Sequence, residues 1–143
     1  FGWRMVWPLL GAALVVTLAD QTSVHLFKNI FERLRPCHNP EIKDLIHLAT
    51  GRCSGGRFGF VSSHAANTFG VAMFLLLVMR KNWFTILMLV WAALVSYSRI
   101  YLGVHYPADI IVGGLLGIVC GYAVWNLIDG LNRAYGILGK PKE

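Results

Sequence analysis

Residues 110–128 read IIVGGLLGIVCGYAVWNLI, nineteen positions without a single charge. A helix crossing the hydrocarbon core of a bilayer needs about 20 mostly apolar residues, within a range of about 17–25. This run meets that requirement outright. Three further stretches lack charge: Met5–Ala19, Ala65–Met79 and Trp83–Ser98. The first reaches membrane length by continuing past Asp20 to Phe27, and the third by continuing to about Leu102. Ala65–Met79 is short, and must tilt or begin inside a protein-lined cavity. Of the 143 residues, 56% are hydrophobic and 14% charged, too apolar a balance for a soluble domain. The expected fold is all-α: a polytopic transmembrane helical bundle, with four membrane helices in this chain.

The first helix starts almost at Phe1, with no charged region and small-residue cleavage site, so it does not read as a signal peptide. Further helices are expected upstream, within one membrane domain that includes all of 1–143. Gly113, Gly117 and Gly121 recur every four residues, which lays a glycine groove along one face of the fourth helix for close packing. Trp83, Trp91 and Trp125 read as interfacial or packing aromatics.

Four spans fix a topology. The loop 29–63 and the turn 99–107 fall on one side of the membrane; the turn Arg80-Lys81-Asn82 and the basic tail fall on the other. The formal charge of +6 is scattered over helix ends and one loop, which suits phosphate and lipid head groups and not nucleic acid. A raw count of Lys and Arg does not orient the chain. Setting Lys28, Arg35 and Arg99 aside as functional tips the bias toward a cytoplasmic tail side, with weight on Arg4, Arg80, Lys81, Arg133, Lys140 and Lys142.

Every chemically suggestive residue falls on the motif side. Lys28 and Arg35 are seven apart, two helical turns, and share a face if the helix runs that far before Pro36 stops it. They read as an anion clamp or as an ordinary basic helix end. Ser62-Ser63-His64 precedes the second helix, where free backbone N–H groups and the helix dipole favour phosphate, though simple capping needs the same residues. His105 and Asp109 are four apart, with Pro107 suited to the first helical turn. The carboxylate can turn back to one ring nitrogen, fix the tautomer and leave the other nitrogen free to attack.

These segments, Lys-x6-Arg-Pro, Ser-x-His and Ser-Arg-x5-His-x3-Asp, resemble the type 2 phosphatidic acid phosphatase superfamily, which also includes glucose-6-phosphatase and vanadium-dependent haloperoxidases. The similarity extends over about residues 20–128. The first and third motifs match at every defining position; in the second, Val61-Ser62-Ser63-His64 stands where the family usually has Pro-Ser-Gly-His. Val61 loses a turn-setting proline, while Ser63 keeps a backbone N–H in the glycine place. The family usually has six membrane helices, with the first motif after the third, which again implies two upstream.

The resemblance implies a metal-independent lipid phosphatase without a cofactor. His105 attacks phosphorus and forms a phosphohistidine, Asp109 holds and polarises it, and His64 protonates the leaving oxygen and later activates water. Lys28, Arg35 and Arg99 clamp the phosphoryl oxygens, with Ser62 and the Ser63 N–H completing the cradle. Glu32, Glu41 and Asp44 have no metal-ligand spacing. Undecaprenyl diphosphate, met at the outer face of a bacterial inner membrane, leads the substrate expectations; phosphatidylglycerophosphate, phosphatidate and lipid A phosphates stay open. A transporter or anionic-lipid-binding protein is the alternative of another class. Haloperoxidase chemistry does not suit a membrane protein, and vanadate is expected to inhibit. Lipid-linked phosphate and membrane lipids are the expected partners.

Cys37 and Cys53 lie in the motif-side loop, and Cys120 inside the fourth helix. A Cys37–Cys53 bridge would contribute about 3 kcal/mol in the chain-entropy model and would require an oxidising compartment. The loop from His38 to Gly59 has no periodicity and reads as a lid or rim, with His38 and His47 facing solvent. Asp20, within the first apolar stretch, reads as a satisfied polar residue or as a relay to Lys28.

Overall fold

The computed structural model describes residues 6–49 and 51–136; Arg4, Lys140 and Lys142 lie outside them. Four helices make the bundle: α1 (Val6–Phe31), α2 (Ser63–Met79), α3 (Asn82–Tyr101) and α4 (Pro107–Tyr135). The described residues form no strand, only an isolated antiparallel bridge between Leu34 and Phe58. By length and composition α1, α3 and α4 can each cross a membrane. α2 is the shorter apolar helix that the sequence led us to expect. All-α transmembrane architecture is what this chain adopts.

α2 and α4 pack backbone against backbone. A Cβ placed on Gly117 would come within 2.1 Å of the Ala66 carbonyl oxygen, and one on Gly121 within 2.3 Å of the Gly70 oxygen. A Cβ on Gly113 would reach 2.6 Å from the Ser62 oxygen. The four-residue glycine repeat is thus the crossing seam itself, since only glycine allows helices this close. α1 closes the other side. Val15, Phe74 and Val124 form one buried cluster under Trp125 and Ile128, and Ala19, Ala66 and Cys120 form a second. α3 leaves Trp83, Ile86, Trp91 and Leu94 exposed, an apolar surface suited to lipid.

α1 ends earlier than the Lys28/Arg35 spacing suggested. A π-helical stretch, Ser23–Lys28, turns Ser23 fully inward, and the last helical residue is Phe31. Glu32 then takes the left-handed conformation, at φ 45°. Arg33 to Arg35 run extended because they bond across the loop: Gly59 N–H donates to the Arg33 carbonyl at 2.9 Å, and Arg35 N–H to the Arg57 carbonyl at 3.1 Å. Arg35 also precedes a proline, which disfavours helical backbone. The two cations therefore do not share a helix face; the loop places Arg35. α4 extends seven residues beyond Ile128, to Tyr135, and its Asp129 and Arg133 pair at 2.7 Å one turn apart.

Candidate active site

His105 sits in the turn between α3 and α4 and is 3% exposed; Asp109, in the first turn of α4, is wholly buried. Pro107 near the helix start sets this geometry. Asp109 Oδ2 accepts the Tyr106 N–H at 2.9 Å and lies 3.4 Å from His105 Nδ1. That separation is long for a hydrogen bond, and Nδ1 has no nearer partner. Catalytic contacts commonly tighten only once substrate is bound. On the far side of the ring, Arg35 Nη1 lies 3.1 Å from Nε2. Since a guanidinium only donates, Nε2 is the accepting nitrogen and the proton belongs on Nδ1, facing Asp109. This is the tautomer expected from the His-x3-Asp spacing.

Burial is the main influence on the His105 pKa and lowers it. The neighbouring Asp109 carboxylate pushes it back up, and the Arg35 charge lowers it again. The balance falls below the ordinary imidazole value, so the ring is neutral, with a lone pair, at neutral pH. Burial likewise lowers Arg35, against the opposing charge of Asp109, but a guanidinium remains protonated at any physiological pH.

The other motif residues converge on the same end of the bundle. Lys28 Nζ donates to Ser63 Oγ at 2.6 Å, and Ser63 Oγ lies 2.6 Å from Ser23 Oγ, which donates to the Asp20 carbonyl at 2.8 Å. The hydroxyl that stands where the family has glycine thus anchors the lysine. Position 20 is linked to Lys28 through its backbone carbonyl and two serines. Ser62 caps α2, its Oγ accepting from Ala65 N–H at 3.4 Å, and its own N–H donates to the Asp109 carbonyl at 3.1 Å. The α2 start is thereby tied to α4. His64 is exposed and within electrostatic reach of Arg99, His105, Arg35 and Lys28. Arg99, near the end of α3, is half-buried and donates to Ser98 Oγ at 3.1 Å.

The loop half is built around Arg35. Its Nε donates to the Gly56 carbonyl at 2.6 Å and its Nη1 to the Val104 carbonyl at 3.3 Å. Side chains at Gly55 and Gly59 would press on it from 3.1 and 3.0 Å. Cys37 and Cys53 are joined in a disulfide, with Cα atoms 5.7 Å apart, which closes the loop beside this cradle. His38 comes near both sulfurs, but the bridge consumes the thiols a metal would need. His38 and His47 are exposed, as expected.

Arg33 escaped the sequence reading. Its Nη2 donates to Asp109 Oδ1 at 2.6 Å, and its guanidinium lies over Phe60 and Tyr106, 5.1 and 4.6 Å from the ring centres. The available signal was the alternation Arg33-Leu34-Arg35: in an extended segment, residues two apart share a face. Reading the segment as helix hid it. An open depression of about 560 Å³ lies beside Arg33, lined also by Leu34, Asn39, Tyr106, Pro107 and Ala108. Lys28, Arg35 and Arg99 do not line it.

The family model described as the PAP2 superfamily matches residues 6–133. A Bacteroides thetaiotaomicron protein named lipid A 4'-phosphatase is 43% identical over 128 residues, 87% of this chain and 55% of that protein. A Porphyromonas gingivalis protein of the same name is 38% identical over 120 residues, 83% of this chain and 50% of that protein. A Sulfolobus acidocaldarius protein named undecaprenyl-diphosphatase is 48% identical over 60 residues, 42% of this chain and 29% of that protein. The chain thus spans about half the length of the first two of these relatives. No solved structure matches it.

Proposed function

Because this chain belongs to the PAP2 superfamily, we propose that it removes a phosphoryl group from a membrane lipid through a phosphohistidine on His105. One observation carries the reading: His105 Nε2 is the accepting nitrogen, beside Arg35, while Nδ1 faces the buried Asp109. In the resting site Arg35 covers the attacking lone pair. An incoming phosphate offers that guanidinium a charge-assisted partner and draws it off Nε2. Nε2 then forms the P–N bond as the bond to the leaving oxygen breaks, and His64 gives that oxygen a proton. Water that returns a proton to His64 attacks the same phosphorus, breaks the P–N bond and releases inorganic phosphate. Lys28, Arg35 and Arg99 neutralise the developing charge, with Ser62 and the Ser63 N–H at the α2 start, and phosphoryl transfer depends chiefly on such positioning.

For the substrate, the long similarity to two proteins named lipid A 4'-phosphatase supports a phosphorylated glycolipid of that kind. Undecaprenyl diphosphate, which led the expectations from sequence, has the shorter similarity to the Sulfolobus protein in its favour and stands second. The disulfide supports a site on the oxidising, extracytoplasmic face. Phosphate release by purified full-length protein, in EDTA, against lipid A, undecaprenyl diphosphate, phosphatidylglycerophosphate and phosphatidate tests the reading. Fastest release from lipid A is expected. Binding of these lipids with no phosphate released from any would replace the enzyme with an anionic-lipid-binding or transport protein.

A further inference from the structure

The two oxygens of Asp109 face different partners. Oδ2 serves His105 and the Tyr106 N–H; Oδ1 is held by Arg33 at 2.6 Å. We infer that Arg33 is a positioning residue for the proposed nucleophile, gripping the Asp109 carboxylate from the loop side and setting its share of charge toward His105. This role rests on the phosphatase reading for its consequence in turnover, but its geometry does not.

The grip is a built one. Arg33's guanidinium lies over the Phe60 and Tyr106 rings, with the side chain part-exposed. Phe60 stands edge-on against Phe31 and Phe27 at the end of α1, with centroids 5.1 and 5.9 Å away. Tyr106 is fixed in turn, its hydroxyl accepting from Asn39 Nδ2 at 3.2 Å. The backbone at 33 and 34 is tied to 58 and 59. A guanidinium held by two aromatic faces and aimed at a wholly buried carboxylate has little freedom to leave it. Arg33 and Arg35 thus divide the work: one holds the acid, the other faces the imidazole.

The charged and titratable groups acting on His105 are Lys28 on α1, Arg35 on the loop, His64 on α2 and Asp109 on α4, with Arg33 reaching it through Asp109 and Arg99 on α3 acting on His64. Removing Arg33 leaves the whole Asp109 carboxylate charge to the ring. The imidazolium is then favoured, and His105 holds its proton to higher pH. Asp109 also loses one of its two anchors, so the ring is less firmly oriented. In metal sites, loss of such an outer partner costs roughly 10–100-fold in activity.

The test compares Arg33→Gln and Arg33→Lys with the unaltered full-length protein in micelles. The readouts are kcat, KM, the pH profile, and the NMR titration of the histidine signal that His105→Gln removes. Arg33→Gln is expected to lower kcat by about 10–100-fold, leave KM within about threefold and raise the acid midpoint in both the rate and the NMR titration. Arg33→Lys, which keeps the charge, is expected to restore the midpoint but only part of kcat. An unchanged midpoint and unchanged kcat in folded Arg33→Gln overturns the role. Should Arg33→Gln not fold, Arg33→Lys decides, and kcat equal to that of the unaltered protein overturns it. If the unaltered protein releases no phosphate, the phosphatase reading falls, and the NMR midpoint alone then judges Arg33.

Discussion

His64 and Asp109 stand on helices whose backbones meet through glycine, whereas Arg33 and Arg35 stand on an extended segment tied down by polar contacts and a disulfide. In the helical half a Cβ has nowhere to go: 2.1 Å at Gly117, 2.3 Å at Gly121. In the loop half each cation is fixed by a handful of partners: the Gly56 and Val104 carbonyls for Arg35, two rings and a carboxylate for Arg33. Steric locking resists deformation all at once, while hydrogen bonds to loop carbonyls can be lost one at a time. The carboxylate facing His105 is thus carried on a sterically locked helix, while the cation beside the ring is held by separate hydrogen bonds.

The largest expected effect removes what both halves serve. His105→Ala should cut turnover by about ten-thousand-fold or more and abolish trapping of a 32P-labelled phosphoenzyme; full activity in that variant would remove the mechanism. Next comes the helical seam. Gly117→Val forces α2 and α4 apart and should destabilise the protein by about 3 kcal/mol, read as a thermal shift in detergent with parallel loss of activity. A Gly117→Val protein with native stability would show that the seam is not load-limiting for the site. The loop half should give a smaller and different response. Cys37→Ser with Cys53→Ser is expected to cost about 2–3 kcal/mol and to raise KM more than it lowers kcat, because the Gly56 anchor of Arg35 slackens while the His105–Asp109 turn stays in place. Equal losses in both constants would erase the distinction between the halves.

The smallest effect is in pH. His105 is held below the ordinary imidazole value of about 6.5, so activity should persist as pH falls through that value and decline only below it, where the ring protonates and loses its lone pair. Arg35→Gln, from the loop side, removes a repelling charge and should move this limb up. Asp109→Asn, from the helical side, removes the group that favours the imidazolium and should move it down. Shifts of the same sign in both variants would contradict the arrangement.

Much of the helical half was legible beforehand. The uncharged runs marked α1, α3 and α4, the short run marked α2, and the four-residue glycine spacing marked the crossing seam, because helical period is local and strict. His105 and Asp109 were legible for the same reason, being one turn apart. The loop half was not. Lys28 and Arg35 at a spacing of seven looked like one helix face, yet the helix stops at Phe31 and residues 33–35 pair across to 57–59. Arg33 lay between two motif positions, and its alternation with Arg35 marks a shared face only once the segment is extended and not helical. Ser63 suggested a backbone donor, and its hydroxyl proved to hold Lys28.

The amino-acid sequence by itself determined which segments are apolar helices, which helix ends share a side of the membrane, and which residue types gather there. It did so because hydropathy and periodicity act over a few neighbouring residues. Only the tertiary structure decided which cation meets which partner: Arg33 on Asp109, Arg35 on His105, Lys28 on Ser63. Those pairings join residues 35 to 76 positions apart, and they depend on how an aperiodic loop folds back over the bundle, which no local spacing encodes.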